Sequence, residues 1–519
     1  MAKFVLGVLL MVWYCLNISA YAEPNKHQTS GFSYNVTPVA DWVKVQSVPL
    51  TDKSELNHAT LSYLLNDEQL DLSLGNYQRY RHTAVKANNK KGAEQISSFE
   101  LYFSPEYQTL NLHYIRLIRN GVSKDITATS DIRLVQPEQE VDRNIYNGLV
   151  AAMILLSDVR TSDIVEYAYT INGTNPVYGD KRFASFATQW GVPVTKVFVR
   201  VLTDNNHQLN IRVKNSDDTF TLNYERHQNE HIWQGQNIPA VDDEGQYPGW
   251  YSPYTDIQIS EFSDWQDVVH WALPLYGSTQ LQNAELLALE KNWREESKSK
   301  KDYVERIVSY VQNQIRYFGI EVGTNTHEPY SADEIYVRQY GDCKDKTNLM
   351  LTLLRRAGIE AYPALVSSYL GESLDAQLAS PGAFDHVITY FVLEGKEYWV
   401  DGTISQQFGS LESRGEQYFA KALLVKADQT ALVDIAAPVL RKSFERSKEL
   451  FIISDYQTEV KLDTTFQYQG DSAVYYRLAL QRLGQSEYEK HLLNYYQRQF
   501  PNTELLPGLS IVDDRELNQ

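Results

Sequence analysis

Three side chains in the second half of the chain combine types and spacing suited to nucleophilic chemistry. Cys343 follows Gly341-Asp342 and opens a stretch in which Leu349, Met350, Leu353, Leu354 and Ala357 recur at helical spacing. Asp342 reads as the N-cap of that helix and Gly358 as the residue just past its C-terminus. Cys343 is then the first helical residue and lies off the apolar stripe. Unpaired backbone N–H groups and the helix dipole favour a thiolate there. Asp342 and Asp345 oppose that charge, Lys344 and Lys346 partly offset them, and the thiol needs a cationic partner. His386 is the candidate, because it begins the apolar run HVITYFV after the loop Pro381 to Asp385. Asp401 ends the next run, Tyr398-Trp399-Val400-Asp401, and Glu394-Gly395-Lys396 makes the turn between the two. Two antiparallel strands so joined place His386 and Asp401 as cross-strand neighbours. The carboxylate can then hold the imidazole's tautomer and support its charged form, and the imidazolium can pair with the thiolate.

The elements that must position these groups have an α+β order. Leu286, Leu289 and Trp293, then Val304, Ile307, Val308, Val311 and Ile315, predict two helices ahead of the cysteine helix. Strand-like runs follow at Ile359 to Val366, Val387 to Val392 and Glu397 to Val400. A cysteine at a helix start, with His and Asp on adjacent strands, is the arrangement of a papain-like nucleophile system. The run Tyr340 to Lys346, then Leu349 through Ala361, resembles the core of bacterial transglutaminase-like proteins. Phe384-Asp385-His386-Val387 and Tyr398 to Thr403 are similar to that family's histidine and aspartate segments, and Ile315-Arg316-Tyr317 and Glu328 to Ala332 also fit. The resemblance implies Cys343 as nucleophile, His386 as general base and acid, and Asp401 as the orienting group. It also implies an N-terminal β-rich domain of unknown function. Asp385 stands where members often carry Asn, and members commonly extend further at the C-terminus. Acyl transfer requires an oxyanion hole, for which the Cys343 N–H is the natural first donor and Gln339 or Tyr340 the candidates for the second. Lys344, Asp345 and Lys346 read as a solvated first helical turn.

Residues 23–255 read as a β-rich, sandwich-like or antiparallel domain. Its strands include Leu110 to Ile118, Val194 to Leu202, Gln208 to Val213 and Thr219 to Tyr224, separated by turn-forming Asn and Asp groups. Asp242-Asp243-Glu244, ahead of the aromatic run Tyr247 to Tyr254, reads as a linker rather than a calcium loop. The α+β core is expected over 256–410. A β-rich C-terminal region, incomplete by comparison with the family, follows over 411–519, with strands at Glu459 to Gln469 and Ala473 to Leu478 and a helix near Glu487 to Gln499.

Composition bounds the function. The 519 residues are 43% hydrophobic and carry a formal net charge of −18, which argues against nucleic acid or anionic lipid as the main partner. Lys3, an apolar stretch from Phe4 to Leu16 and Ala20-Tyr21-Ala22 read as a secretory signal over 1–22. Cleavage would place the chain in the periplasm or beyond it, without an integral membrane segment. It would also remove Cys15, one of only 2 cysteines, so that no internal disulfide can form. No metal-ligand spacing and no phosphate loop is present, and neither metal nor cofactor is expected. Two readings result. One is an exported cysteine-dependent acyltransferase, peptidase or amidase acting on a protein or peptide. The other is a non-catalytic binding protein that uses its β domains and keeps a vestigial core.

Overall fold

The computed structural model describes residues 25–519 except 30, 51–58, 74–76, 138–139, 205–207, 216–219, 243–244, 278–279, 415–416, 438–443, 456, 458 and 507. The secretory signal and Cys15 therefore lie outside the described residues, as do Asp243 and Glu244. Among those described, no helix is long and apolar enough to cross a membrane.

The N-terminal region is built on a ten-stranded sheet. Leu61–Asp71, Gln78–Ala87, Ile164–Asn172 and Val194–Leu202 occupy its centre and Leu222–His227 one edge. Along Thr109–Arg119, Leu110, Leu112 and Ile115 face one core, and Tyr114, beyond a register shift opposite Ala168/Tyr169, packs with Tyr80 and Ala168 in another. Two three-stranded sheets contribute to the packing. Leu101, Phe103, Leu134 and Ile154 of one join a core with Leu112, Ile115 and Val165. Phe186, Ile257 and Ile259 of the other join a core with Val197, Val199 and Trp233. The large sheet is mixed rather than purely antiparallel, because Val194–Leu202 runs parallel to Leu61–Asp71 and Phe32–Val36 parallel to Thr109–Arg119. Alternation fixes a strand's faces but not its partner's direction, so the sequence could not show this.

The middle region is mixed α/β. Its five-stranded sheet has the order Lys396–Val400, His386–Leu393, Glu360–Val366, Lys421–Leu424, Val433–Asp434, antiparallel throughout. The Cys343–Arg356 helix packs on it beside the Ala332–Arg338 and Lys300–Asn313 helices, and Leu349, Leu353, Val308, Val311, Val387 and Phe391 share one core. Pairing crosses both boundaries expected from the sequence. Asp256–Ser260 pairs with Phe183–Ala187 and Asn210–Lys214, while Lys421–Leu424 extends the middle sheet beyond residue 410.

The C-terminal region holds a hairpin, Phe444–Ile452 with Lys461–Gln469, and two helices, Asp471–Leu483 and Gln485–Gln499. Ala473 to Leu478 is thus helical, contrary to the strand expected there. Gly470 and Gly484 bracket the helix, and Val474 is the segment's lone β-branched residue, so its aromatic content alone had favoured a strand.

Candidate active site

The cysteine helix begins where its capping box closes. The Asp342 carboxylate accepts from the Lys344 and Asp345 N–H groups at 3.1 and 3.3 Å, and the Asp345 carboxylate accepts from the Asp342 N–H at 3.2 Å. Gly341 makes this closure possible, since a Cβ there would lie 2.6 Å from the Asp345 Cβ. Gly341→Ala is therefore expected to cost roughly 1–3 kcal/mol and to loosen the helix start. Urea unfolding and Cys343 labelling rates measure the two effects, and unchanged stability would refute the packing argument.

Beyond Cys343 the helix is buried on every side from Lys344 to Leu354. The charged turn is thus not solvated, which corrects the expectation for Lys344, Asp345 and Lys346. Each finds a partner instead, as buried charges must. The Lys344 ammonium pairs with the Asp342 carboxylate, and Asp345 also accepts from the Tyr330 N–H at 2.8 Å. Lys346 Nζ donates to the Ile315 and Gln312 carbonyls at 2.6 and 3.3 Å, capping the end of the Lys300–Asn313 helix. Burial pushes Asp345 up to about 6 with help from Asp342, and pushes Glu321, near Lys344, up to about 7. Cys343 itself keeps partial exposure and is a free thiol.

Burial lowers Lys346 to about 8, against the favourable charge of Asp401. Below pH 8 the ammonium is charged whether the chain is folded or not, and the folded state bears a cost of roughly 3 kcal/mol. That cost is relieved as pH rises from about 8 toward the ordinary lysine value. The stability of the wild type relative to Lys346→Met should therefore increase between pH 8 and pH 10, as read by urea unfolding at both values. A constant difference would contradict the assignment.

His386 and Asp401 are delivered by a tight hairpin. Glu394 and Gly395 have φ of +52° and +79°, the left-handed pair of a type I′ turn. Pairing runs from Leu393↔Lys396 to Thr389↔Val400, so Asp401 falls beside Ile388 and reaches diagonally to His386 on the same face. His386 Nε2 and Asp401 Oδ2 are 2.8 Å apart. The other carboxylate oxygen accepts from the Thr403 N–H at 2.7 Å and its hydroxyl at 2.6 Å, and the Gln312 amide donates to the Asp401 carbonyl at 2.8 Å. Burial disfavours the imidazolium, but the Asp401 charge and hydrogen bond outweigh it, with Cys343 adding a hydrogen bond and charge of its own. The ring's pKa is raised well above the ordinary histidine value. Burial likewise opposes the Asp401 carboxylate, yet His386 and Thr403 hold its pKa below the ordinary value. With Nε2 facing Asp401, Nδ1 is the ring nitrogen left for the thiol.

Several contacts carried no local signal in the sequence. Phe419 packs its ring 5.6 Å from that of His386, and Thr347 Oγ1 donates to the Val387 carbonyl at 3.2 Å, tying the cysteine helix to the histidine strand. Thr403 was legible in hindsight, since Asp-x-Thr is a local side-chain-to-backbone turn. The Gln339 amide binds the Tyr336 carbonyl and lies 3.4 Å from the Tyr310 hydroxyl, while Tyr340 packs edge-on against Phe318. Burial and the charges of Cys343 and Asp342 push the Tyr317 hydroxyl well above the ordinary tyrosine range. No group of three or more His, Cys, Asp or Glu side chains among the described residues is arranged to hold a metal ion.

A helix-start cysteine packed against an antiparallel sheet that carries a His–carboxylate pair defines a class, the transglutaminase-like fold of cysteine-dependent enzymes. Family comparison agrees: residues 288–401 match the transglutaminase-like superfamily, and residues 74–242 match a domain of unknown function with solved structure, DUF3857. The chain carries a transglutaminase-like domain behind a DUF3857 domain. No curated protein matches it. A solved structure from Parabacteroides distasonis, described as a putative protease, aligns with a TM-score of 0.60 at 16% identity over 73% of this chain and 72% of its own. That likeness shows shared fold. A putative cysteine protease from Cytophaga hutchinsonii aligns with a TM-score of 0.22 at 10% identity, covering 55% of this chain and 89% of its own. The periplasmic domain of TgpA from Pseudomonas aeruginosa gives 0.18 at 13% identity, covering 56% and 86%. These last two align too loosely to bear on the fold.

Proposed function

We propose that the protein is an exported thiol enzyme that acts at an amide carbonyl of a protein or peptide through Cys343, His386 and Asp401. The carrying observation is the 2.8 Å His386–Asp401 pair on a ring that also interacts with the helix-start thiol. In this reading the Cys343 sulfur bonds to the carbonyl carbon while the oxyanion is met by the Cys343 N–H. The Asp342 carboxylate takes the N–H groups of Lys344 and Asp345 and leaves this one aside. His386 then gives its proton to the departing amine as the C–N bond breaks, and a thioester remains. An amine or water attacks that thioester, His386 takes the proton of the incoming nucleophile, and the thiolate is released. Asp401 keeps the ring oriented throughout. Export rests on the Lys3 to Ala22 segment.

Intact-mass measurement after rapid acid quench of a reaction with a peptide mixture tests the proposal. An acyl adduct that maps to Cys343 and is cleared by hydroxylamine is the expected result. A peptide mixture turned over with no adduct at Cys343, and with equal rates in Cys343→Ser, would overturn it.

A further inference from the structure

Beside the candidate active site lies a groove of about 350 Å³ whose walls come from three separate segments. Trp250 arrives from the linker, Ser368, Tyr369 and Glu372 from the loop after Glu360–Val366, and Tyr418 from the approach to Lys421–Leu424. Single exposed aromatics are ordinary on a protein surface. Here three, exposed by 39% at Trp250, 54% at Tyr369 and 46% at Tyr418, converge on one concavity.

The convergence is built into the backbone. Gly371 has φ of +46°, and a Cβ there would come within 3.1–3.3 Å of Trp250 side-chain atoms. Ser373 Oγ donates to the Trp250 carbonyl at 3.0 Å, and Arg212 from the N-terminal sheet donates to the Ala376 and Gln377 carbonyls at 2.7 and 2.9 Å, anchoring the same loop. The groove also abuts the chemistry. Asp385, one residue before His386, accepts from the Ser368 N–H at 2.7 Å and from its hydroxyl, and Phe419, between Tyr418 and Ala420, packs on the His386 ring.

Its charge is one-signed. Glu372 lines it, held at 2.6 Å by the Tyr418 hydroxyl, and among the described residues no Lys or Arg lines it. The nearby Lys421 is matched by Asp434 at 2.8 Å and Asp375 at 3.4 Å. Aromatic faces around a carboxylate favour a cation, by quadrupole attraction and by charge.

We propose that this groove is a subsite for the cationic side chain of an arginine or lysine that flanks the reacting amide of a polypeptide substrate. Its place in the reaction rests on the thiol-enzyme reading above, but binding can be measured apart from turnover. The probes are acetyl-Ala-Arg-Ala-amide and its citrulline counterpart, which has nearly the same shape without the charge. Both are titrated by calorimetry or ligand-detected NMR into the full chain carrying Cys343→Ser. The arginine peptide is expected to bind at least about tenfold more tightly, as one charge-assisted contact provides. Adding Glu372→Gln, which keeps the side chain's shape, should bring the ratio close to one, and Trp250→Ala should weaken the arginine peptide about fivefold. Equal affinity for the two peptides would overturn the proposal, as would a ratio untouched by Glu372→Gln. So would binding of a neutral chitin trisaccharide that Trp250→Ala removes and Glu372→Gln does not, since the groove would then be a sugar platform. Charge-selective binding in a protein whose Cys343 proves unreactive would sink the enzyme reading and leave the subsite standing. Reactive Cys343 without charge selectivity would sink the subsite alone.

Discussion

Cys343→Ser is expected to lower turnover by at least about 10⁴-fold with little effect on stability. The substitution exchanges one atom at a partly exposed helix-start position, where the capping box runs through Asp342 and Asp345 and makes no use of the thiol. Serine suits the first turn of a helix, so unfolding should shift by less than about 0.5 kcal/mol. A hydroxyl, however, holds its proton far more tightly than a thiol, and a His386 ring tuned to remain protonated is a poor base for removing it. Loss of the nucleophile from a concerted set removes nearly all of that set's contribution and leaves only binding and oxyanion effects. Initial rates with the substrate found by adduct trapping, alongside urea unfolding, decide the matter. Turnover within tenfold of wild type would exclude Cys343 as nucleophile.

Asp401→Asn is the second large effect, with an expected fall in turnover of about 10²–10⁴-fold. The carboxylate is the main influence raising the His386 pKa, and burial works against it. An amide keeps the shape and can still bond to Thr403, but it carries no charge, and burial then pulls the ring toward its neutral form. The effect on stability has a definite sign. A histidine whose pKa is raised on folding contributes stability that is fully present below its unfolded value near 6.5 and is lost as pH rises through the folded value. The wild type should therefore exceed Asp401→Asn most in stability at mildly acidic pH, and the gap should narrow as pH climbs. Histidine NMR titration reads the ring directly, and an unchanged His386 titration in Asp401→Asn would remove the electrostatic basis of the effect.

How far the sequence could lead is clearest around this site. The helix start was legible because N-capping, the glycine before it and Gly358 after it are local rules, and Gly358 does take φ of +68°. The hairpin was legible for the same reason, since Glu394-Gly395 selects one turn and that turn sets the register. Lys344, Asp345 and Lys346 were misread because charged residues in a first turn usually face water. Their burial depends on the Asp342 carboxylate, the Gln312 and Ile315 carbonyls and the Tyr330 N–H, most of them far away in sequence. Phe419 on the His386 ring and the convergence of Trp250, Tyr369 and Tyr418 are likewise products of tertiary packing. Mixed strand direction in the large sheet escaped for a related reason, because its parallel pairs join strands distant in the chain.

The central claim is that His386 activates Cys343, and site-resolved alkylation measures it most directly. Wild type and His386→Ala are treated with iodoacetamide near neutral pH, and modification of the Cys343 peptide is followed by mass spectrometry. The account predicts that wild-type Cys343 reacts at least about tenfold faster than a free model thiol, and that His386→Ala removes the excess. A wild-type rate no greater than that of the model thiol, or one unchanged by His386→Ala, would contradict it and favour a binding protein built on an inherited core.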